Sequence, residues 1–123
     1  FSMPWKADDF AEMILADYAY YFVATNSDSI VGIIGLRNLA GEGEITNVAV
    51  SPDYRRYGIG RKMLKRVLDQ ASQLGIKDIT LEVRASNEPA ISLYTSEGFV
   101  TEGVRKGFYE KPVEDALIMW RRE

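Results

Sequence analysis

A mixed α/β sheet flanked by helices is the fold class this sequence predicts, and three observations carry the prediction. Runs of β-forming residues recur between clusters of turn residues. One strand–helix–strand crossover stands out over residues 44–83, the kind of connection that joins neighbouring parallel strands. Elsewhere strand runs follow one another with no helix between them, so the sheet is not wholly parallel.

Taken in order, "KADDFAEMILAD" (6–17) places Phe10, Met13 and Ile14 at helical spacing behind Asp8 and Asp9, and reads as a short helix. "YAYYFVAT" (18–25) is a strand and "NSDS" (26–29) a turn. "IVGIIGLRNLA" (30–40) is then the returning strand of a hairpin. "EITNVAV" (44–50) is a third strand, closed by Ser51-Pro52. The long helix that follows sets Ile59, Met63, Leu64, Val67, Leu68, Ala71 and Leu74 on its inner side, with Gly75 placed to cap its end. "DITLEVRA" (78–85) alternates Ile79, Leu81 and Val83 against Thr80, Glu82 and Arg84, a strand with two distinct faces. "EPAISLYTSEG" (88–98) is a short helix with Pro89 in its first turn and Gly98 past its end. "FVTEGVRKGFY" (99–109) and "DALIMWRR" (115–122) are two more strands, joined by a loop containing a proline.

Composition narrows the chemistry. With 123 residues, 46% hydrophobic and 27% charged, the chain suits one globular domain over 1–123. Cysteine and histidine are both absent. That removes Ser-His-Asp and Cys-His triads and the common zinc sites, and leaves acid–base work to Asp, Glu, Tyr, Lys or a terminus. A net charge of -3 argues mildly against nucleic acid as a partner. Apolar runs fall far short of the roughly 20 residues that cross a bilayer. The opening "FSMPWKADDF" lacks the basic-then-apolar order of a signal peptide. A cytoplasmic protein without a membrane partner is therefore expected.

The loop "SPDYRRYGIG" raises a sharper question, because Gly58 and Gly60 open the longest helix where alanine would be better by about 1 kcal/mol each. The loop joins a strand end to a helix start, the region where crossover units gather ligands. A helix N-terminus offers unpaired N–H groups and the positive end of the dipole, and glycines keep Cβ atoms out of an anion's way. Arg55, Arg56 and Arg61 add positive charge. A tight turn beside solvated arginines would explain the same residues. Two other phosphate motifs fail on spacing: no GxxxxGK precedes a Ser or Thr, and Met63 stands where a dinucleotide fingerprint needs its third glycine.

Two stretches together, "NVAVSPDYRRYGIGRKML" and "LEVRASNEPAISLYTSEGF", resemble the GNAT acetyltransferases. Their pyrophosphate signature is Arg or Gln, two residues, Gly, one residue, then Gly or Ala. Here it reads Arg55-Arg56-Tyr57-Gly58-Ile59-Gly60. Within that superfamily the ending "GFYEKPVEDALIM" and the pair Pro4-Trp5 are similar to the RimI-type enzymes, which acetylate the N-terminal alanine of a small-subunit ribosomal protein. Chains of that type usually carry a further strand and helix ahead of the Pro-Trp element, and this chain starts three residues before it. The first strand and helix of the family fold are therefore expected to be missing here.

The resemblance implies acetyl-CoA as cosubstrate, no metal, and a protein or peptide N-terminus as acceptor. Arg55, Arg56, Tyr57, Gly58, Ile59, Gly60 and Arg61 would hold the pyrophosphate. Val48, Ala49 and Val50 would bind the pantetheine arm through backbone groups, and Asn87 would contact the cofactor. Glu82 matches the family's general base, and Tyr94 its general acid beside the sulfur. From the residues alone Glu82 would simply pair with Arg84 or a lysine, Tyr94 could pack beside Leu93 and Phe99, and Asn87 could be a helix cap. Glu44, Asn47, Arg84, Ser86 and Tyr109 are candidates to line the acceptor end. Two alternatives stay open: acetyl transfer to a small amine or lysine side chain, and a non-catalytic acetyl-CoA-binding module. Neither the oligomeric state nor an activating partner follows from the sequence.

Overall fold

The computed structural model describes residues 10–16, 18–26, 29–52, 55 and 58–123. Among them, seven strands and two helices run in the order β1 (Phe10–Ala16), β2 (Ala19–Asn26), β3 (Ser29–Leu39), β4 (Glu42–Val50), α1 (Ile59–Gln73), β5 (Asp78–Arg84), α2 (Glu88–Ser96), β6 (Val100–Glu110) and β7 (Val113–Arg121). The strands form one sheet ordered β1-β2-β3-β4-β5-β7-β6. Every neighbouring pair is antiparallel except β4–β5, which α1 bridges as the expected crossover.

One expectation fails. Residues 10–16 form a strand rather than part of a helix, while residues 6–9 and 17 lie outside the described ones. Phe10, Met13 and Ile14 fit a helical period, but a run this short fits a strand too. The ladder decides: β1 pairs with β2 from Phe10↔Ala24 to Ile14↔Tyr20. Pairing there satisfies the outer edge of β2, which would otherwise present a row of open backbone groups. A non-local partner thus overrides the local period.

The remaining elements fall close to their expected bounds, and one core explains why. Ile59, Met63, Leu64, Val67 and Ala71 of α1 are buried against Phe22, Ile34, Leu36, Ile45, Ile79 and Leu81 of the sheet. Each such aliphatic side chain contributes roughly 1.5–3 kcal/mol. The α1–β3 approach is close enough that a Cβ on Gly32 would stand 3.0 Å from Met63 Sδ. Leu68 is partly buried, but Leu74 departs from the expected inner stripe. It is the C-cap of α1, donating its N–H to Gln70, and is 37% exposed. Tyr94 and Phe99 bring α2 and the start of β6 into the same core. Their rings lie 5.9 Å apart.

What positions the site is a split in the sheet. The parallel β4–β5 ladder holds only at Glu42↔Asp78, Gly43↔Ile79 and Glu44↔Thr80. Beyond Glu44, β4 carries a bulge. Gly35 pairs with Thr46 and Ile33 with Ala49, so Asn47 and Val48 together oppose the single residue Ile34. Asn47 takes the left-handed conformation that accommodates the extra residue, φ 52°. The bulge bends β4, and the two strands do not pair again.

Candidate active site

The split opens a cleft of about 310 Å³. Glu44, Thr46, Asn47 and Val48 of β4 line one wall and Leu81–Arg84 of β5 the other, with Asn87, Tyr94 and Tyr109 completing it. Sequence reasoning placed Glu44, Asn47, Arg84 and Tyr109 at such a cleft, and all four are there. Ser86 is not among the lining residues. Its backbone N–H donates to Glu114 Oε2 at 2.6 Å.

Glu82 sits on the half-buried face of β5, the face opposite the core residues Ile79, Leu81 and Val83. Its ionic partner is neither Arg84 nor a lysine. Arg105 of β6, reaching across β7, sets its Nε 3.1 Å from Glu82 Oε2. The contact is ionic without hydrogen-bond alignment, and Oε2 is a buried oxygen with no aligned donor. Arg84 is committed elsewhere. Its guanidinium lies 4.1 Å over the Tyr109 ring and within 3.3 Å of both the Pro112 carbonyl and Glu114 Oε1. Hydrogen bonds from Ser86 hold the Glu114 carboxyl below its ordinary range, with Arg84 acting in the same direction. The Tyr109 phenol is pushed up by burial and by the nearby charge of Glu82.

Tyr94 is the buried residue of α2, and it lines the cleft. Burial, reinforced by Tyr109, pushes its pKa up to about 12. Its ring packs against Phe99, as the packing reading expects, while the side chain still borders the cleft. Asn87 caps α2, its Oδ1 accepting from the Ala90 N–H at 3.3 Å, and it also lines the cleft.

The start of α1 lies past the end of β4. Gly58 is its N-cap at φ 76°, a conformation that costs an L side chain about 1–2 kcal/mol. The tight-turn reading therefore accounts for Gly58. It does not account for Gly60, where a Cβ would find only Leu93 Cδ2 at 3.5 Å, an ordinary contact. Among the described residues no side chain caps this helix start, and its first turn holds no acidic residue. Helix geometry leaves the N–H groups of Ile59, Gly60 and Arg61 without partners inside the helix. The Arg61 side chain is occupied, donating to Glu97 Oε2 at 2.7 Å and to Ser96 Oγ at 2.9 Å. Arg55 Nε donates to the Val50 carbonyl at 3.3 Å. Arg56 and Tyr57 lie outside the described residues. Val48 and Ala49 are exposed and Val50 is half-buried.

Three residues important to this arrangement were not singled out from the sequence: Arg105, Glu114 and Tyr21, which bonds to Asn47. Each acts through strand register, which no local pattern encodes.

The cleft lies between parallel strands that stop pairing at Glu44, which leaves the β5-facing edge of β4 unpaired beyond that point, and the start of α1 follows the end of β4 in the chain. Among the described residues no three His, Cys, Asp or Glu side chains are grouped to hold a metal ion. None of the helices there is long and apolar enough to cross a membrane. The family model for the acetyltransferase (GNAT) family matches residues 1–99. The chain belongs to that family, and it is an acetyl-CoA-dependent N-acetyltransferase. It is 35% identical over 120 residues to the Escherichia coli [ribosomal protein bS18]-alanine N-acetyltransferase, covering 96% of this chain and 80% of that one. It is 34% identical over 122 residues to the N-alpha-acetyltransferase RimI of Mycobacterium tuberculosis, covering 96% and 75%. The crystal structure of the ribosomal-protein-S18-alanine N-acetyltransferase from Escherichia coli superposes with a TM-score of 0.81 at 34% identity. That match covers 87% of this chain and 70% of the other. Ard1 from Thermoplasma volcanium superposes with a TM-score of 0.78 at 30% identity, over 83% and 69%.

Proposed function

We propose that this chain acetylates the N-terminal α-amino group of a protein by direct attack in a ternary complex, and that its acceptor is the alanine terminus of ribosomal protein bS18 named for its relatives. A cytoplasmic location goes with that substrate. The observation that carries the reading is Glu82 Oε2, a buried oxygen at the cleft with an ionic neighbour but no aligned donor. A carboxylate oxygen so placed can accept a further hydrogen bond. An amine N–H, or a water passing its proton, would supply it.

Acetyl-CoA supplies the acetyl group as an activated thioester. The residues present fit it. Val48, Ala49 and Val50 offer backbone groups along the unpaired edge of β4, in the manner of an added strand. A backbone N–H in that segment would face the thioester carbonyl, and such a donor is worth about 3 kcal/mol in the transition state. The N–H groups of Gly58, Ile59, Gly60 and Arg61 would receive the pyrophosphate, joined by Arg55, Arg56 and Tyr57 of the same signature. Asn87, which lines the cleft, would contact the arm.

Glu82 holds the acid–base role toward the acceptor. An α-amino group with a pKa near 8 is mostly protonated at neutral pH and needs a base before it can attack. Tyr94, which borders the cleft, would donate a proton to the departing sulfur. With its pKa at about 12 and a thiol near 8.5, complete proton transfer is uphill by about 5 kcal/mol. A turnover barrier of about 16 kcal/mol accommodates that step, and solvent restores the phenol afterwards. Neither role needs an acyl-carrying cysteine or histidine, and the sequence has none.

Thiol release from acetyl-CoA, followed with Ala-, Ser- and Met-starting peptides against free polyamines and N-blocked lysine peptides, tests the reading. The Ala-starting peptide is expected to react fastest, and Glu82→Gln to lower its rate by about 10²-fold or more. Preference for a free amine or lysine would overturn the acceptor. Coenzyme A binding with no turnover of any acceptor would leave only a binding module.

A further inference from the structure

The bulge that opens the cleft is held from two strands away. Tyr21 of β2, Gly35 of β3 and Thr46 of β4 stand side by side across the sheet, Tyr21 paired with Gly35 and Gly35 with Thr46. The middle member has no side chain, and none would fit. A Cβ at position 35 would stand 2.5 Å from Thr46 Oγ1 and 2.9 Å from Tyr21 Cε1. The Tyr21 ring therefore lies over the glycine and carries its hydroxyl past β3. There it accepts a hydrogen bond of 2.9 Å from Nδ2 of Asn47, the bulge residue with φ 52°. The same amide nitrogen stands 3.5 Å from Thr46 Oγ1.

Each feature is costly or idle unless it serves the bulge. A left-handed residue inside a strand is strained, even for asparagine, which tolerates the region best after glycine. Glycine weakens a strand interior, and a tyrosine hydroxyl gains little by ending on a sheet face unless it meets a partner. Together they fix one extra residue at one place. That place sets how far Val48, Ala49 and Val50 stand from β5.

We infer that Tyr21 is a positioning residue for the acetyl-CoA cleft, acting through Asn47 across Gly35, and that Asn47 serves the shape of β4 before it serves any acceptor. Without the latch, the bulge can slip or relax toward β5. The backbone groups proposed to meet the pantetheine arm then lose their spacing, while the start of α1 keeps its own. The inference rests on the reading of Val48–Val50 given under Proposed function.

Calorimetry of the whole chain with two ligands tests it: coenzyme A, and 3′-phospho-ADP, which carries the phosphates but no pantetheine arm. Tyr21→Phe keeps the ring and removes the hydroxyl. It is expected to weaken coenzyme A by about three- to tenfold, the worth of one neutral hydrogen bond, and to leave 3′-phospho-ADP unchanged. Asn47→Gly permits the positive φ but deletes the amide, and should give the same loss. The double variant should be no weaker than either single one. Wild-type affinity for coenzyme A in Tyr21→Phe would overturn the inference, as would equal weakening of both ligands. A wild-type chain that fails to bind coenzyme A would instead sink the reading of the cleft itself.

Discussion

The two helices begin in opposite ways, and the contrast separates what the chain does for stability from what it does for a ligand. α2 opens with Asn87 accepting from the Ala90 N–H, with Pro89 in its first turn and Glu88 at its positive end. Its own residues satisfy the start. α1 is the longer helix and buries five residues, yet among the described residues its start has no side-chain cap, its first turn has no acidic residue, and its N-cap is a glycine. Its interior carries its stability, so its end can be left bare. The interiors differ too. α1 buries aliphatic side chains and one methionine, whereas the residue α2 buries is a phenol, Tyr94. One helix contributes backbone donors, the other a titratable side chain.

Making α1 resemble α2 should have the largest effect. Gly60→Asp fits sterically, since a Cβ there meets only Leu93 Cδ2 at 3.5 Å. A carboxylate about 4 Å from a phosphate near a protein surface costs ~4 kcal/mol. Coenzyme A affinity should therefore fall by at least about a hundredfold. The melting temperature should hold or rise, because an acid in the first turn suits the dipole. Binding and stability moving together would break the contrast.

Tyr94→Phe asks whether the buried phenol of α2 works as more than packing. The expected loss is about 10- to 100-fold in kcat, with the KM for acetyl-CoA little changed. Unfolding followed against pH gives a second reading. The folded pKa of about 12 lies above the ordinary phenol value of 10.0, so this contribution to stability is whole below pH 10. It is lost as pH rises through 12, by up to about 3 kcal/mol. The phenylalanine variant should lack that alkaline loss.

Asn87→Ala should have the smallest effect, about 1 kcal/mol of stability from the lost cap. If it weakened coenzyme A more than it lowered stability, Asn87 would belong with the cofactor residues rather than with the helix.

Much of this was legible in the chain. Period-3.6 burial from Ile59 to Ala71, period-2 burial from Ile79 to Val83, and the turn residues between them are local patterns. A local pattern survives in sequence because it repeats. The glycines of α1 and the positions of Glu82 and Tyr94 were legible through their resemblance to a known family. The strand at Phe10–Ala16 was not, since helical and strand periods coincide over so short a run and the free edge of β2 made the choice. Arg105 as the partner of Glu82 was hidden as well, because the two residues meet across β7 and nothing near either one announces it.

By itself, then, the sequence determined the element types of the long segments, the bare helix start and the acid–base inventory, because those depend on neighbours a few positions apart. Only the tertiary structure decided where β4 leaves β5, which cation faces Glu82, how far burial raises Tyr94, and that Tyr21 reaches Asn47. Each of these depends on strand register and on exclusion of water, which the chain acquires only once distant segments pack together.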